Sequence, residues 1–465
     1  MFKIKAIMAP TLMEAITIVA AIIVMISVSI IGFGSVPHLP ILFSILLLIC
    51  FGLVKKVPYR KLEGGLVEGA GSGMSAVFLF FFIGILVSSW IMAGTIPTLI
   101  YAGFNLITPT FFFAIVFVVT AIVGVSIGSS LTTVATVGVA FIGMATVLDL
   151  SLAITAGAIV SGAFFGDKMS PLSDTTNLAS SLVGVDLFEH IRNMSWTTFP
   201  AFFLSLIFFG ILSPSVTLGE VDKINVFQEG LLATGMIHWY TIIPLILLFV
   251  LTILKVPALM TLALSSASAV AISYFHHSFS AAEVFSILFK GFVSTTGIED
   301  IDALLTRGGM ESMMFTIGLV LLALSMGGLL FTLGIVQCLL ATIEGLLKKV
   351  SSVIAASALT AISINVLIGE QYLSILLTGQ AFQSQYEKVG LANKNLSRVM
   401  EDAGTVVNPL VPWSVCGIFI ADMLGVSVVE YLPFAFFCLL SPILTVLFGF
   451  LGKTLTYTDG RSAKR

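Results

Sequence analysis

The sequence predicts an all-α polytopic membrane protein made of two inverted structural repeats, with discontinuous helices, re-entrant hairpins and about 11 to 13 membrane segments. Three observations predict it. Hydrophobic residues make up 58% of the 465-residue chain and charged residues only 10%, against about 25% charged in soluble domains; the mean hydropathy is +1.13. Apolar runs long enough, or nearly so, for the roughly 20 residues that cross a hydrocarbon core recur from end to end. Finally, the stretch GDKMSPLSDTTNLAS (166–180) is polar and proline-broken between the apolar runs AITAGAIVSGAFF and SWTTFPAFFLSLIFF. Irregular backbone at membrane depth is tolerated only where protein buries it or a wet cavity meets it.

Taken in chain order, the long apolar runs are 12–34, 38–54, 74–91, 110–127, 196–213, 240–254, 257–275, 313–333, 350–369 and 432–452, with shorter pieces at 98–107, 130–148, 152–165, 371–383 and 411–424. The first is too long and too uninterrupted for a signal peptide, and no small-residue cleavage site follows it. Lys3 and Lys5 precede the first run, Lys55, Lys56, Arg60 and Lys61 follow the second, and Lys453, Arg461, Lys464 and Arg465 follow the last. Positive charge collects on the cytoplasmic side, so both termini are expected there, in a multi-pass protein of the inner (cytoplasmic) membrane. The expected divisions are 1–72 as N-terminal spans with an interfacial linker, 73–213 as a first transport repeat, 214–308 as connecting loop and spans, 309–452 as a second transport repeat, and 453–465 as a cytoplasmic tail. The four cysteines stand apart in apolar runs, without ligand spacing, and read as small buried residues.

The halves resemble each other. TAIVGVSIGSSLTTVATVGVAF (120–141) lies on TAISINVLIGEQYLSILLTGQAF (360–382), matching Gly128 with Gly369 and Gly138 with Gly379; GDKMSPL (166–172) corresponds to EDAGTVVNPL (401–410). Repeats with helices broken at matching positions are the layout of secondary transporters, whose sites lie near the midplane.

Chemistry collects at these breaks. Pro171 removes an amide donor, and Gly162 and Gly166 loosen the preceding turn, so carbonyls near 167–170 are expected to be free. Together with Asp167, Ser170, Ser173, Asp174, Thr175 and Asn177 they make an oxygen-rich patch of the kind hard cations prefer. A carboxylate there can hold a proton instead, and competition of proton and cation for one acid gives exchange directly. Lys168 reads first as a structural charge, neutralising Asp167 or reaching an interface. The second half adds Glu370 and Gln371 beside Tyr372, then Glu401, Asp402, Thr405, Asn408 and Trp413, with Pro409 and Pro412 breaking the helix. Ser129, Ser130 and Thr132, in the glycine-broken SIGSSLTT, are expected to line the pathway opposite GDKMSPLSD with Gln371 and Trp413. Segment 295–311, with Glu299, Asp300, Asp302 and Arg307, reads as a loop in preference to a gate.

The string GDKMSPLSDTTNLAS, together with MEDAGTVVNPLVPWSVCGIF (400–419) and EYLPFAFFCLLSP (430–442), resembles the NhaC family of sodium/proton antiporters over essentially the whole chain. The family is grouped with the ion-transporter superfamily and includes malate/lactate exchangers coupled to sodium and protons. The resemblance implies no enzyme activity and no cofactor, and a cation and proton site on Asp167, Ser170, Ser173, Asp174, Thr175 and Asn177, with Glu401, Asp402, Thr405 and Asn408 in the matching repeat. Sodium would be held through Asp174 and Asp167, and Glu370 joins the expected proton-binding set. The function expected is exchange of sodium for protons; the alternative is a sodium- and proton-coupled exchanger of a small organic solute, of malate/lactate type or an amino acid, in which Trp413, Gln371, Tyr372 and Asn408 would serve the solute. Expected partners are sodium, protons and membrane lipid, with no nucleic acid and a homodimer left open. An intramembrane aspartyl hydrolase is disfavoured by the lack of a GxGD motif, and a passive channel by having no need of several buried acids.

Overall fold

The computed structural model describes residues 6–106, 110–214, 227–344 and 349–458, and these are almost entirely helical, with isolated bridges only at Phe292 to Arg307 and Leu391 to Tyr457. In chain order the helices are α1 (Leu12–Ser27), α2 (His38–Val54), α3 (Tyr59–Ser72), α4 (Met74–Met92), α5 (Thr95–Leu106), α6 (Phe112–Ile127), α7 (Ser130–Val147, with a π-turn at Val134–Gly138), α8 (Leu152–Met169), α9 (Asp174–Leu182) and α10 (Leu187–Leu212). The second part contains α11 (227–233), α12 (Ile243–Ile253), α13 (Ala258–Ser273), α14 (Ala281–Lys290), α15 (Glu299–Leu305), α16 (Met313–Thr332), α17 (Ile335–Glu344), α18 (Val350–Ile368), α19 (Gln371–Lys388), α20 (Asn393–Val399), α21 (Val415–Leu424), α22 (Val428–Tyr431) and α23 (Phe436–Leu451). Among the described residues, seven helices are long and apolar enough to cross a membrane, or up to nine if each of two bent pairs is one span. Residues 215–226, at the start of the expected connecting region 214–308, and the terminal charges Lys3, Lys5, Arg461, Lys464 and Arg465 lie outside the described residues.

The breaks fall where the sequence places them, and each has a local cause. Helix α6 ends at Gly128 (φ 71°) and α18 at Gly369 (φ 75°), both in the left-handed region that favours glycine. An extended residue follows each glycine and caps the next helix: Ser129 accepts from the amide of Thr132, and Glu370 from that of Leu373. Further on, α8 stops at the extended Ser170 before Pro171 and α9 restarts at the cap Ser173; α20 continues as a π-turn (Met400–Thr405), passes Pro409, and α21 restarts at the cap Ser414. Left-handed Gly94 between α4 and α5 likewise has a counterpart in Gly334 between α16 and α17. The two halves thus repeat the same order of helix, break and cap.

Glycine also sets how closely helices cross. A Cβ at Gly166 would stand 2.4 Å from Cα of Gly124, and one at Gly162 would stand 2.4 Å from the carbonyl oxygen of Phe117, so α6 and α8 meet backbone to backbone. The 59–72 segment, anticipated as an interfacial connector, is a helix that packs on α16 in the same manner, with Gly65 and Gly69 against Gly328. Ion pairing at this end joins Lys55 to Glu14, the capping-box residue of α1.

Segment 295–311 is a folded loop organised by Asp302. Its carboxylate accepts from the Ser294 hydroxyl, the Thr296 amide and hydroxyl (each 2.7 Å) and the Gly297 amide (2.9 Å). These donors, Ser294 first, hold the carboxyl down to about 2. A depressed pKa stabilises the fold above the ordinary aspartate value of about 3.9, and the contribution is lost as pH falls towards 2.

Two measurements check this packing. Gly166→Ala should lower the melting temperature in detergent, at a cost of about 1–3 kcal/mol for overpacking against fixed backbone, whereas Gly71→Ala, with nothing within 4 Å of the added carbon, should leave it unchanged or slightly raised. Asp302→Ala at pH 7 should speed hydrogen exchange at the amides of Thr296 and Gly297 and leave α16 protected; unchanged exchange there would remove Asp302 from its organising role.

Candidate functional site

The break between α8 and α9 is closed by its own side chains. The Thr176 hydroxyl donates to the carbonyls of Lys168 (3.2 Å) and Asp167 (3.5 Å), and the Asn177 amide donates to those of Pro171 (3.0 Å) and Ser173 (2.7 Å). Of the carbonyls near 167–170 read from the sequence as free cation ligands, those of Asp167, Lys168 and Ser170 are therefore already engaged, the first two by Thr176, a residue not singled out there. Its signal in the sequence was its place at N3 of α9, within reach of the preceding turn. Ser170 and Ser173 are fully buried behind the break; the Ser173 hydroxyl caps Thr176 and lies 3.0 Å from that of Thr175.

Asp167 lies across from the other break. It is 5% exposed, and its Oδ2 accepts from the Ser130 hydroxyl (2.7 Å) and amide (3.2 Å) at the start of α7. Both breaks of the first half and one of the second then open on a cavity of about 360 Å³. Ser129, Ser130 and Thr132 from α7 and its cap, Asp167 from α8, Asp174, Thr175 and Asn177 from α9, and Gln371 with Tyr372 from α19 are on its wall. Asp174 and Asn177 are exposed there. Lys255, Thr252 and Thr261 complete the polar lining from the α12–α13 region, and nothing in their local sequence set them apart from ordinary turn and helix residues.

The rest of the second-half set lies off this wall. Lys168 does not neutralise its neighbour Asp167: its ammonium pairs with Asp402, both side chains being fully buried, and it stands 5.6 Å over the Phe437 ring. Glu401 and Thr405 are fully buried on the π-turn, and neither the Glu401 carboxylate oxygens nor the Thr405 hydroxyl have a hydrogen-bond partner among the described residues. Asn408 is a structural hub: it donates to Asn365 (2.9 Å), accepts from the Cys416 amide (3.0 Å), and its carbonyl accepts from Ser414 (2.5 Å). The Trp413 indole donates to the Val366 carbonyl (2.6 Å) and is buried, so in this conformation it packs rather than faces the pathway. Glu370 spends one oxygen on the Leu373 amide as the cap of α19. Among the described residues no group of three or more His, Cys, Asp or Glu side chains is arranged to hold a metal ion.

What the cavity offers is two carboxylates within a ring of hydroxyl and amide groups, a donor set for a monovalent hard cation or a proton. Comparison with known proteins agrees in kind. Residues 162–453 match the model of the Na+/H+ antiporter family, a span that includes the breaks at Pro171, Gly369 and Pro409. The chain is 42% identical over 417 residues, 90% of each chain, to the Na+/H+ antiporter NhaC of Alkalihalophilus pseudofirmus, and 38% identical over 425 residues, 90% of this chain and 93% of the relative, to the NhaC of Bacillus subtilis. It is also 32% identical over 464 residues, 99% of each chain, to the malate-2H+/Na+-lactate antiporter of Bacillus subtilis. A multi-pass membrane protein with this sequence and this arrangement of broken helices belongs to the NhaC-type Na+/H+ antiporter family.

Proposed function

We propose that the protein is a secondary active antiporter that exchanges sodium for protons across the cytoplasmic membrane, and that Asp174 is the carboxylate the two cations share. The observation that carries this reading is the cavity itself, on whose wall Asp167 and Asp174 lie from the two sides of one helix break. Asp167 is fixed by Ser130 at the start of α7; Asp174, exposed at the first turn of α9 and with no hydrogen-bond donor among the described residues, is free to change occupant. Sodium would take the Asp174 carboxylate with oxygens such as those of Thr175 and Asn177, and a proton on the same carboxylate would remove the site. Because one acid cannot hold both, each release must precede the other's capture, and the two fluxes run in opposite directions.

Lys168 and Asp402 join the two halves directly behind this site. In this reading the halves are inverted with respect to each other and move relative to one another around the site, with both termini cytoplasmic. Support comes from the matched breaks and caps and from the need of interrupted helices to meet inside protein rather than lipid.

Sodium-driven proton flux in proteoliposomes tests the assignment. Asp174→Asn should abolish it while the protein remains folded in the membrane, and wild-type rates in that variant would sink the role given to Asp174. Asp167→Asn should raise the sodium concentration needed for half-maximal flux. For the buried pair, Lys168→Met leaves Asp402 uncompensated and should cost about 3–5 kcal/mol of stability; adding Asp402→Leu should recover most of that loss, and a double variant no more stable than the single one would show that the charges do not act as a pair.

A further inference from the structure

A second cavity lies where α11, the α13–α14 connection, α14 and the segment after α14 meet, and it shares no wall residue with the first. It measures about 610 Å³, within the range of roughly 300–1,000 Å³ used by small-molecule sites. No Asp or Glu stands on its wall, whereas Lys290 and His277 do. A lysine in the last turn of a helix ordinarily serves the free carbonyls there. At the end of α14, however, the carbonyls of Ile287, Leu288 and Phe289 already accept from the amides of Gly291 (2.9 Å), Met310 (3.0 Å) and Glu311 (2.8 Å). The Lys290 ammonium has no ion-pair partner among the described residues. The nearby charge of Asp302 is taken up by four donors of its own loop, and Glu283 closes the capping box at the far end of α14. The Ser286 and Thr295 hydroxyls, also on the wall, make no hydrogen bond among the described residues.

Apolar surface flanks this cationic cavity. Phe285 and Phe289, one turn apart on α14, are 74% and 42% exposed, and Val293 just beyond the helix is exposed as well. In a membrane protein such a face meets acyl chains, and a basic pocket beside it suits the phosphate of a lipid. We propose that the cavity holds the headgroup of an anionic phospholipid. The phosphate lies on Lys290, the rest of the headgroup meets Ser286, Thr295 and His277, and the chains cover Phe285, Phe289 and Val293. A free phosphate compound would leave the exposed rings uncovered, which favours the lipid as occupant. One lipid then bridges α11, α14 and the 291–298 segment, and its binding stabilises the way they pack.

The test uses purified full-length protein in detergent, stripped of lipid, with retained lipid counted by native mass spectrometry and stability read as the melting temperature. Dioleoyl-phosphatidylglycerol should be retained and should raise the melting temperature, because a ligand that binds only the folded state stabilises it. Dioleoyl-phosphatidylcholine, with the same chains and no net charge, should do neither at the same concentration, and glycerol 3-phosphate, with the phosphate and no chains, should give no shift. Lys290→Gln should raise the phosphatidylglycerol concentration for half the shift about tenfold, the loss of one charge-assisted contact, and Lys290→Arg should keep the wild-type value. Replacing Phe285 and Phe289 together by Ser should weaken lipid binding as well. The melting temperature without lipid shows whether each variant is folded. The inference is overturned by phosphatidylcholine matching phosphatidylglycerol, by an unchanged half-point in Lys290→Gln, or by glycerol 3-phosphate matching the lipid, which would make the occupant a soluble phosphate compound.

Discussion

A helix interrupted inside an apolar interior must find partners for its exposed backbone amides and carbonyls, and this constraint organises the site. Every break near the cavity is closed locally: Gly128 and Gly369 end their helices in the left-handed region, Ser129, Glu370 and Ser173 cap the next ones, and Thr176 with Asn177 takes up the carbonyls released around Pro171. The restarted helices present N-termini, each with about half a positive charge. Each of the three meets a carboxylate: Asp167 of α8 accepts at the start of α7, Asp174 lies in the first turn of α9, and Glu370 caps α19. Acids that would be costly at membrane depth are thereby partly offset by the same breaks that create the cavity.

Close packing then fixes where those breaks stand. Gly124, Gly162 and Gly166 let α6 and α8 approach backbone to backbone, which sets Asp167 against the start of α7. The buried Lys168 to Asp402 pair ties the end of α8 to the π-turn after α20 and so connects the halves through a charge contact. Such a pair contributes little net stability against an apolar substitute, but losing one member is costly. Its value here is registration of one broken segment against the other.

The family relation and the geometry speak to different questions. Relatives named for sodium and proton exchange align with 90% of this chain, and one named for malate and lactate exchange aligns with 99% of it. The cavity wall is where cargo would be distinguished, and it mixes the two carboxylates with Lys255, Gln371 and Tyr372. The second signature is thus partly scaffold: in EDAGTVVNPLVPW, Asn408 and Trp413 are held in internal bonds.

Sequence alone determined the class and the places where helices stop. Those depend on local chemistry: apolar composition demands a membrane or a very large core, proline removes a donor, and glycine permits a left-handed turn. It also picked out most of the polar residues on the wall, because Asp167, Asp174, Thr175, Asn177, Ser129, Ser130, Thr132 and Gln371 all stand at breaks. Tertiary structure decided who faces whom. That Lys168 meets Asp402 rather than Asp167, that Glu401 and Trp413 lie off the wall, and that Lys255 lies on it follow from how helices cross. In helices that are apolar all round, periodicity marks no buried face, so the pattern along the chain carries no record of those neighbours.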